Sequence, residues 1–517
     1  MPFRHRQTQP ATSDLLTAVS LGAESSVTSL LERGVLPIIC RINGVNLSPL
    51  HLAAEKNSTS LVLLLLNYGA DINARNSDGA TPLMRAIETK QFSVAEKLIE
   101  LGADVHNANK EKRTALHIAA GKNLAPVVRL LLKKGADPNS RDSLGETPLN
   151  DALRRENREE PAEEVIGILL KHKANPTIGR ESSALTPIHI AATNDMVPEL
   201  SLLAAEAAQA GEERLELSTL IDPCNGYFGE TPLWAAARQG HAASVKVLLE
   251  NRANPSSLCK HPAYPSPLWA AIAAGSLDTA EMLLEQGADP NACDSDGQGI
   301  LHKAWVEKGE DIVELLIRHN ADARIKDRNK CEPLHYAIRA GRQRIAELLL
   351  DGDACIDAED NTGATPLMTA AASKNPVLTM FLLHRRAAPH YRNKDGCGAF
   401  YCACMKGDVL SAGYILARGG GDDGEGAGLH INRPNKKGNT PLHVAARLGE
   451  LEMVRWLLFH GANKHLRSTE PFEGFDVAGT AAEVASAAGH LEVAAVIESF
   501  EGCMSVRTPA WNVGLVT

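Results

Sequence analysis

Apolar positions along this chain come in paired clusters that return at a fixed interval. In residues 48–83, SPLHLAAEKNSTSLVLLLLNYGADINARNSDGATPL, a short run rich in alanine precedes a larger aliphatic run. A polar Asn/Asp/Gly segment follows, and the stretch ends on the hydroxyl residue, proline and leucine with which it began. With the proline as ruler, the signature falls at Pro49, Pro82, Ala115 and Pro148, each 33 residues after the last. It loosens to Pro187 (39), Pro232 (45) and Pro267 (35), returns to 33 at Ile300, Pro333, Pro366 and Ala399, and loosens again at Pro441 (42) and Ala481 (40). A weaker first copy places Leu15 at the ruler. Fourteen repeats result, and a period in this range marks a solenoid.

One repeat, residues 80–104, is predicted to be a turn, a helix of about ten residues, a second helix and another turn. Thr81 can cap the orphan amides of the first helix, and Pro82 at its first position gives up an amide that had no partner. The first helix carries alanines, as in HLAA at 51–54 and WAAA at 234–237, because neighbouring repeats must approach closely. The second carries the larger stripe, as in LVLLLL at 61–66 and VVRLLL at 127–132. Gly69, Gly102, Gly135, Gly287 and Gly461 follow it, where a left-handed residue ends a helix. The ADINARNSDG segment has hairpin-turn chemistry.

SPLHLAA, TALHIAA, TPIHIAA, EPLHYAI and TPLHVAA, with GADIN, GADPN and GAN after the second helix, resemble ankyrin repeats. The resemblance covers about residues 14–500 and leaves tails at 1–13 and 501–517. It implies an all-α repeat solenoid, elongated and curved, of L-shaped helix pairs with projecting hairpins. It also gives His51, His117, His189, His302, His335 and His443 a structural role, hydrogen bonding near the cap of their own helix. Met84, Asn150, Trp234, Trp269, Met368 and Tyr401 replace that histidine elsewhere. The last repeat, GTAAEVASAAGHLEVAAVIESF, has lost the signature, as expected of a cap with one solvent-facing side. Insertions lengthen the repeat begun at Pro187, the joint after Pro148 and a Gly/Asp/Glu loop after Leu416.

Composition changes this picture little. Hydrophobic residues make up 44% and charged residues 22%, but aromatics only 4%, so small residues build the core. The net charge of -10 argues against general nucleic-acid binding. No segment is apolar enough to suggest a signal peptide or a membrane span, so a cytoplasmic chain is expected, with a nuclear location the alternative, its oligomeric state open and a monomer the simplest case. Of ten cysteines, the cluster at 397–404 is the densest. Cys402 and Cys404 align with helical core positions, and the absence of a CxxC pair argues against metal.

No phosphate loop, nucleophile elbow, kinase set or HExxH pattern is present, so no catalytic residue, cofactor or metal is expected. The reading is a non-catalytic scaffold or adaptor whose concave face grips another protein. The alternatives are a targeting or sensor subunit with its effector on a separate chain, and an enzyme with a site on an insertion. The resemblance places partner contacts at hairpin tips and at the ends of the first helices. In the four repeats from Pro333 these positions include Lys326, Arg328, Arg339, Arg392, Lys394, Lys406, Lys436, Lys437 and Arg447, against Glu359 and Asp395. Such a strip fits an acidic segment. A second candidate is aromatic: Tyr227 and Phe228 map to a hairpin tip, with Arg238 on the following helix. Trp234, Tyr264, Trp269 and Trp305 lie nearby, and the two tryptophans at the histidine position are expected to pack. Both candidates are expected on one concave side.

Overall fold

In the computed structural model the chain is described over residues 9–38, 40–42, 45–154, 161–213, 221–225, 228–303, 309–419, 431–469 and 478–501. Tyr227, Trp305, the outermost tails and the central parts of the three insertions lie outside the described residues. The chain divides into two compact units, Met1–Asp289 and Pro290–Thr517. Among the described residues, helix pairs follow one another at the predicted places, eight pairs in the first unit and six in the second. Apart from the first repeat, each inner helix starts on the aligned residue, from Pro49–Glu55 to Ala481–Ala487. The first helix, Gln9–Ser20, begins ahead of the expected boundary at Asp14.

Most inner helices are shorter than predicted: Pro82–Glu88 and Pro366–Ala372 have 7 residues each. Outer helices such as Phe92–Glu100 run 9 residues, and Val197–Glu213 is extended to 17. Thr81 caps as expected, its hydroxyl accepting from the Met84 amide at 3.3 Å. Inner-helix alanines, among them Ala53, Ala86, Ala119, Ala236 and Ala370, have no exposure at all. That lets the inner helices of successive repeats pack directly, as Pro232–Gln239 does on Pro267–Ala273. Leu61, Leu65, Leu98 and Leu131 on the outer helices complete each core layer, also fully buried. Gly102 and Gly461 end their outer helices at φ +91° and +92°, a region costly for any side chain.

The signature histidine does more than cap its own helix. In all six copies Nδ1 faces the backbone N–H of the cap residue (Ser48, Thr114, Thr186, Gly299, Glu332 or Thr440) at 3.0–3.3 Å. Nε2 faces a backbone carbonyl of the following repeat: Ala80, Glu146, Glu230, Cys331, Ala364 or Gly479, at 2.9–3.3 Å. An amide can only donate and a carbonyl only accept. The ring must therefore be neutral with its proton on Nε2. Burial pushes all six imidazoles below their usual range, against the pull of the carbonyl, and His189 falls to about 4.

Replacements at this position show what the tie requires. Trp234 keeps it, its Nε1 donating to the Tyr264 carbonyl at 2.8 Å. Trp234 and Trp269 are also buried, as expected for packing. Asn150 keeps only the cap half: its Oδ1 accepts from the Thr147 amide at 3.1 Å and the Thr147 hydroxyl at 2.7 Å, while its buried Nδ2 has no hydrogen-bond partner among the described residues. Cys402 and Cys404 are buried in the inner helix Ala399–Met405, and burial pushes the Cys402 thiol up to about 12 and Cys404 well above its ordinary value. Thiols held protonated in this way are packing groups.

His51→Asn should preserve the cap but cut the tie to Ala80. Because that carbonyl also accepts from the Asn76 amide, the expected loss is about 1 kcal/mol in urea unfolding rather than the larger cost of an orphaned group. No change in midpoint would show that the tie is not stabilising.

The depressed pKa values set a pH dependence with a definite sign. Between the unfolded value of about 6.5 and the lower native values, the unfolded chain binds more protons, so stability falls as pH drops through that window. The raised carboxyls of Glu146, Asp151, Asp222 and Glu332 act in the opposite sense. For His189, with a native value of about 4, the histidine contribution lost by that pH is on the order of 3 kcal/mol. Urea titrations at pH 7 and pH 5 should show a smaller acid loss for His189→Asn than for the unmodified chain. An equal loss in both would contradict the assignment.

Candidate protein-binding face

Hairpin tips in the second unit are built by one repeated device. Asp294, Asp327, Asp360, Asn393 and Asn435 each turn a side-chain oxygen back onto the amides two and four residues ahead, at 2.8–3.0 Å. These short side chains close the turn because they reach their own backbone. One oxygen of each of the three carboxylates is consequently held inside its turn.

A second set of bonds ties each tip to the one before it. The amides of Arg328, Asn361, Lys394 and Lys436 donate to the carbonyls of Asp296, Asn329, Thr362 and Asp395, at 3.2, 2.8, 2.8 and 2.9 Å. This backbone ladder holds successive tips in register. Three of its four donors are residues of the expected basic strip. Lys326, Arg328, Lys394, Lys436 and Lys437 are exposed on it, and Arg392 is half-buried. Arg339 and Arg447 end the inner helices Pro333–Arg339 and Pro441–Arg447, and Lys406 caps Ala399–Met405.

The strip is less uniformly cationic than its sequence implies. Arg328 pairs with Asp296 at 3.2 Å and Lys326 lies 3.7 Å from Glu332, a buried carboxylate standing where most repeats carry Thr or Ser. Burial pushes the Glu332 carboxyl up and Lys326 opposes that shift, so Lys326 has a supporting role in the fold. Arg339 stacks over Tyr336, 5.6 Å from the ring centre. Its neighbour's hydroxyl accepts from Gln298 at 2.8 Å and donates to Asp327 at 2.7 Å.

A groove of about 370 Å³ runs between these tips. Lys326, Lys330, Arg392 and Lys394 line it together with Glu359 and Asp360. Lys330 was absent from the expected set, as was Arg433. Both are exposed, and only the placement of their turns beside the ladder could have marked them.

The aromatic candidate lies in the first unit. Phe228 is 37% exposed, yet its ring meets His261 edge-on at 5.1 Å. His261 also stacks on Tyr264 at 5.1 Å and lies 5.4 Å from Trp234, while Arg238 sits 5.1 Å over Tyr264. Phe228 and Arg238 thus belong to a cluster organised around a histidine that sequence reasoning did not single out.

Family models described as "Ankyrin repeats (3 copies)" match residues 15–109, 161–259, 188–294, 256–327, 301–389 and 367–468, and one described as "Ankyrin repeats (many copies)" matches 98–150. The chain is 36% identical over 100 residues to human transient receptor potential cation channel subfamily A member 1, covering 19% of this chain and 9% of that protein. It is 31% identical over 121 residues to human SH3 and multiple ankyrin repeat domains protein 2, covering 23% of this chain and 6% of the relative. It is 40% identical over 127 residues to the putative E3 ubiquitin-protein ligase XBAT34 of Arabidopsis thaliana, 24% of this chain and 30% of that one. The chain therefore spans less than a third of the length of each of these relatives. With model matches across most of its length and the helix pairs described above, the chain belongs to the ankyrin-repeat family.

Proposed function

We propose that this protein is a non-catalytic scaffold or adaptor, and that the hairpin tips and inner-helix ends of the second unit hold an acidic segment of a protein partner. Protein interaction is the general role of ankyrin repeats, and the observation that supports this site is the tip ladder. It fixes Arg328, Lys394 and Lys436 on three of four consecutive turns, with Asn361 on the other, while one oxygen of each of the turn carboxylates Asp327 and Asp360 is held in backbone bonds. A row of cations held by backbone rather than by flexible loops needs little ordering on binding, which favours affinity. Exposed charges of this kind act mainly on association rate and salt sensitivity. Among the described residues no group of three or more His, Cys, Asp or Glu side chains is disposed to hold a metal, and no helix is long and apolar enough to cross a membrane.

The test begins with affinity capture and mass spectrometry to obtain a partner, followed by surface kinetics at two salt concentrations. Lys394→Glu with Lys436→Glu should slow association about tenfold or more at low salt and flatten its salt dependence. Lys326 is left intact because a carboxylate there would face buried Glu332. Unchanged kinetics in this variant, with loss of binding on substituting outer-helix residues, would move the partner to the opposite surface.

A further inference from the structure

The outer helices of the second unit change character over two consecutive repeats. The second and fifth positions of Gln343–Asp351 are Arg344 and Glu347, an ion pair at 3.0 Å, and those of Leu451–Phe459 are Glu452 and Arg455, paired at 3.5 Å. In the two helices between, Pro376–His384 and Val409–Gly419, the same positions hold Val377 and Met380, then Leu410 and Gly413. Val377 is 57% exposed, Met380 39% and Leu410 43%. An outer helix ordinarily turns polar side chains to water, and a contiguous apolar face left outward marks a contact surface.

This face has relief. Along Val409–Gly419 the outward side is small past Leu410: Gly413 is followed one turn later by exposed Ala417. An added Cβ at Gly413 would meet only Trp456 Cζ2, at an ordinary 3.8 Å. Pro376–His384 and Leu451–Phe459 pack on either side. Met380 and half-buried Phe381 rise from the first, half-buried Trp456 and exposed Phe459 from the second. The result is a low floor between two apolar walls, 11 residues long, or about 16 Å.

One end of this recess is cationic. Arg386 follows Pro376–His384 and Arg418 stands in the last turn of Val409–Gly419, both exposed, and among the described residues neither has a carboxylate in ion-pair range. The neighbouring acids Asp351 and Glu452 are taken by Arg385 and Arg455. Before the helices, Lys374 and Lys406 outnumber Glu450. A second copy packed head to tail on this face would therefore set cations against cations. The chain's own residues 420–430, GGDDGEGAGLH, offer acid but only Leu429 as a large apolar side chain, too little to fill the recess.

We propose that the recess over Val409–Gly419 receives an amphipathic helix of a protein partner, its apolar stripe on Leu410, Gly413 and Ala417 and its acidic residues toward Arg386 and Arg418. Small floor residues let a second helix approach closely between the walls, the geometry of helix-in-groove recognition. A bilayer surface would instead engage protruding apolar side chains and leave the floor empty. The site lies on outer helices and does not rest on the hairpin-tip reading.

The probes are two labelled 15-residue helical peptides with the same leucine stripe, flanked in one by glutamates and in the other by lysines, titrated into the full chain by fluorescence anisotropy at low ionic strength. The glutamate peptide should bind saturably and at least about tenfold more tightly than the lysine peptide. Val377→Arg with Met380→Glu installs the ion-pair residues of the preceding helix, so it should leave the melting temperature unlowered while weakening the peptide at least about tenfold. Lys394→Glu with Lys436→Glu, on the hairpin tips, should leave the peptide unaffected, so failure here does not touch the acidic-segment reading. Equal affinity for the two peptides, no saturable binding of either, or binding indifferent to Val377→Arg with Met380→Glu would overturn the proposal. So would two other results that depend on the same residues in the absence of peptide binding: sedimentation with phosphatidylserine vesicles, which would make the face a membrane contact, and concentration-dependent dimerisation, which would make it an interface between copies.

Discussion

The structure depends on a neutral imidazole held between two repeats. The ring accepts from the cap of its own inner helix and donates to a carbonyl of the next repeat, so one side chain fixes both a helix start and a stacking register. Each repeat alone has too small a core to hold its helices, since an isolated helix of seven to nine residues is marginal in water. Stability must come from neighbours, and the histidine is the polar bond that makes neighbours specific. Its position inside an alanine layer explains both its requirement for neutrality and its depressed pKa.

The tip ladder is the second tie, and it links stacking to the proposed partner face. When inner helices are held in register, the turns at their base meet backbone to backbone, and whatever projects from a turn is carried at a fixed interval. Basic side chains on three of four consecutive tips, those of Arg328, Lys394 and Lys436, are spaced in this way. Arg392 is held in the same way, by the backbone carbonyls of Gly396 and Pro434. Structural demands and the proposed recognition thus draw on the same few bonds.

Much of the fold was legible because its signals are local and repeated. A proline after a hydroxyl residue, a pair of alanines and a glycine after an aliphatic run each act within a few residues, and inner helices after the first start where Pro49, Pro82 and the later markers place them. What was hidden depends on groups distant in sequence. The histidine partners lie about thirty residues away, and the neutralisation of Arg328 by Asp296 joins two different turns. The roles of Arg433, Lys330 and His261 could not be read from their own neighbourhoods, since only the meeting of adjacent tips brings them beside Arg392, the groove and Phe228. Inner-helix length was overestimated because the backbone turns directly after the alanines, with Asn57, Lys90 and Asn123 at positive φ two residues past their helix ends.

The central claim, that a neutral imidazole with its proton on Nε2 joins each signature repeat to the next, is open to direct observation. Long-range proton–nitrogen correlation spectra of the protein labelled with ¹⁵N-histidine, recorded near pH 6, distinguish the two neutral tautomers from the imidazolium form. The account predicts six buried rings in the Nε2–H form. Buried rings found protonated at that pH, or carrying the proton on Nδ1, would contradict it.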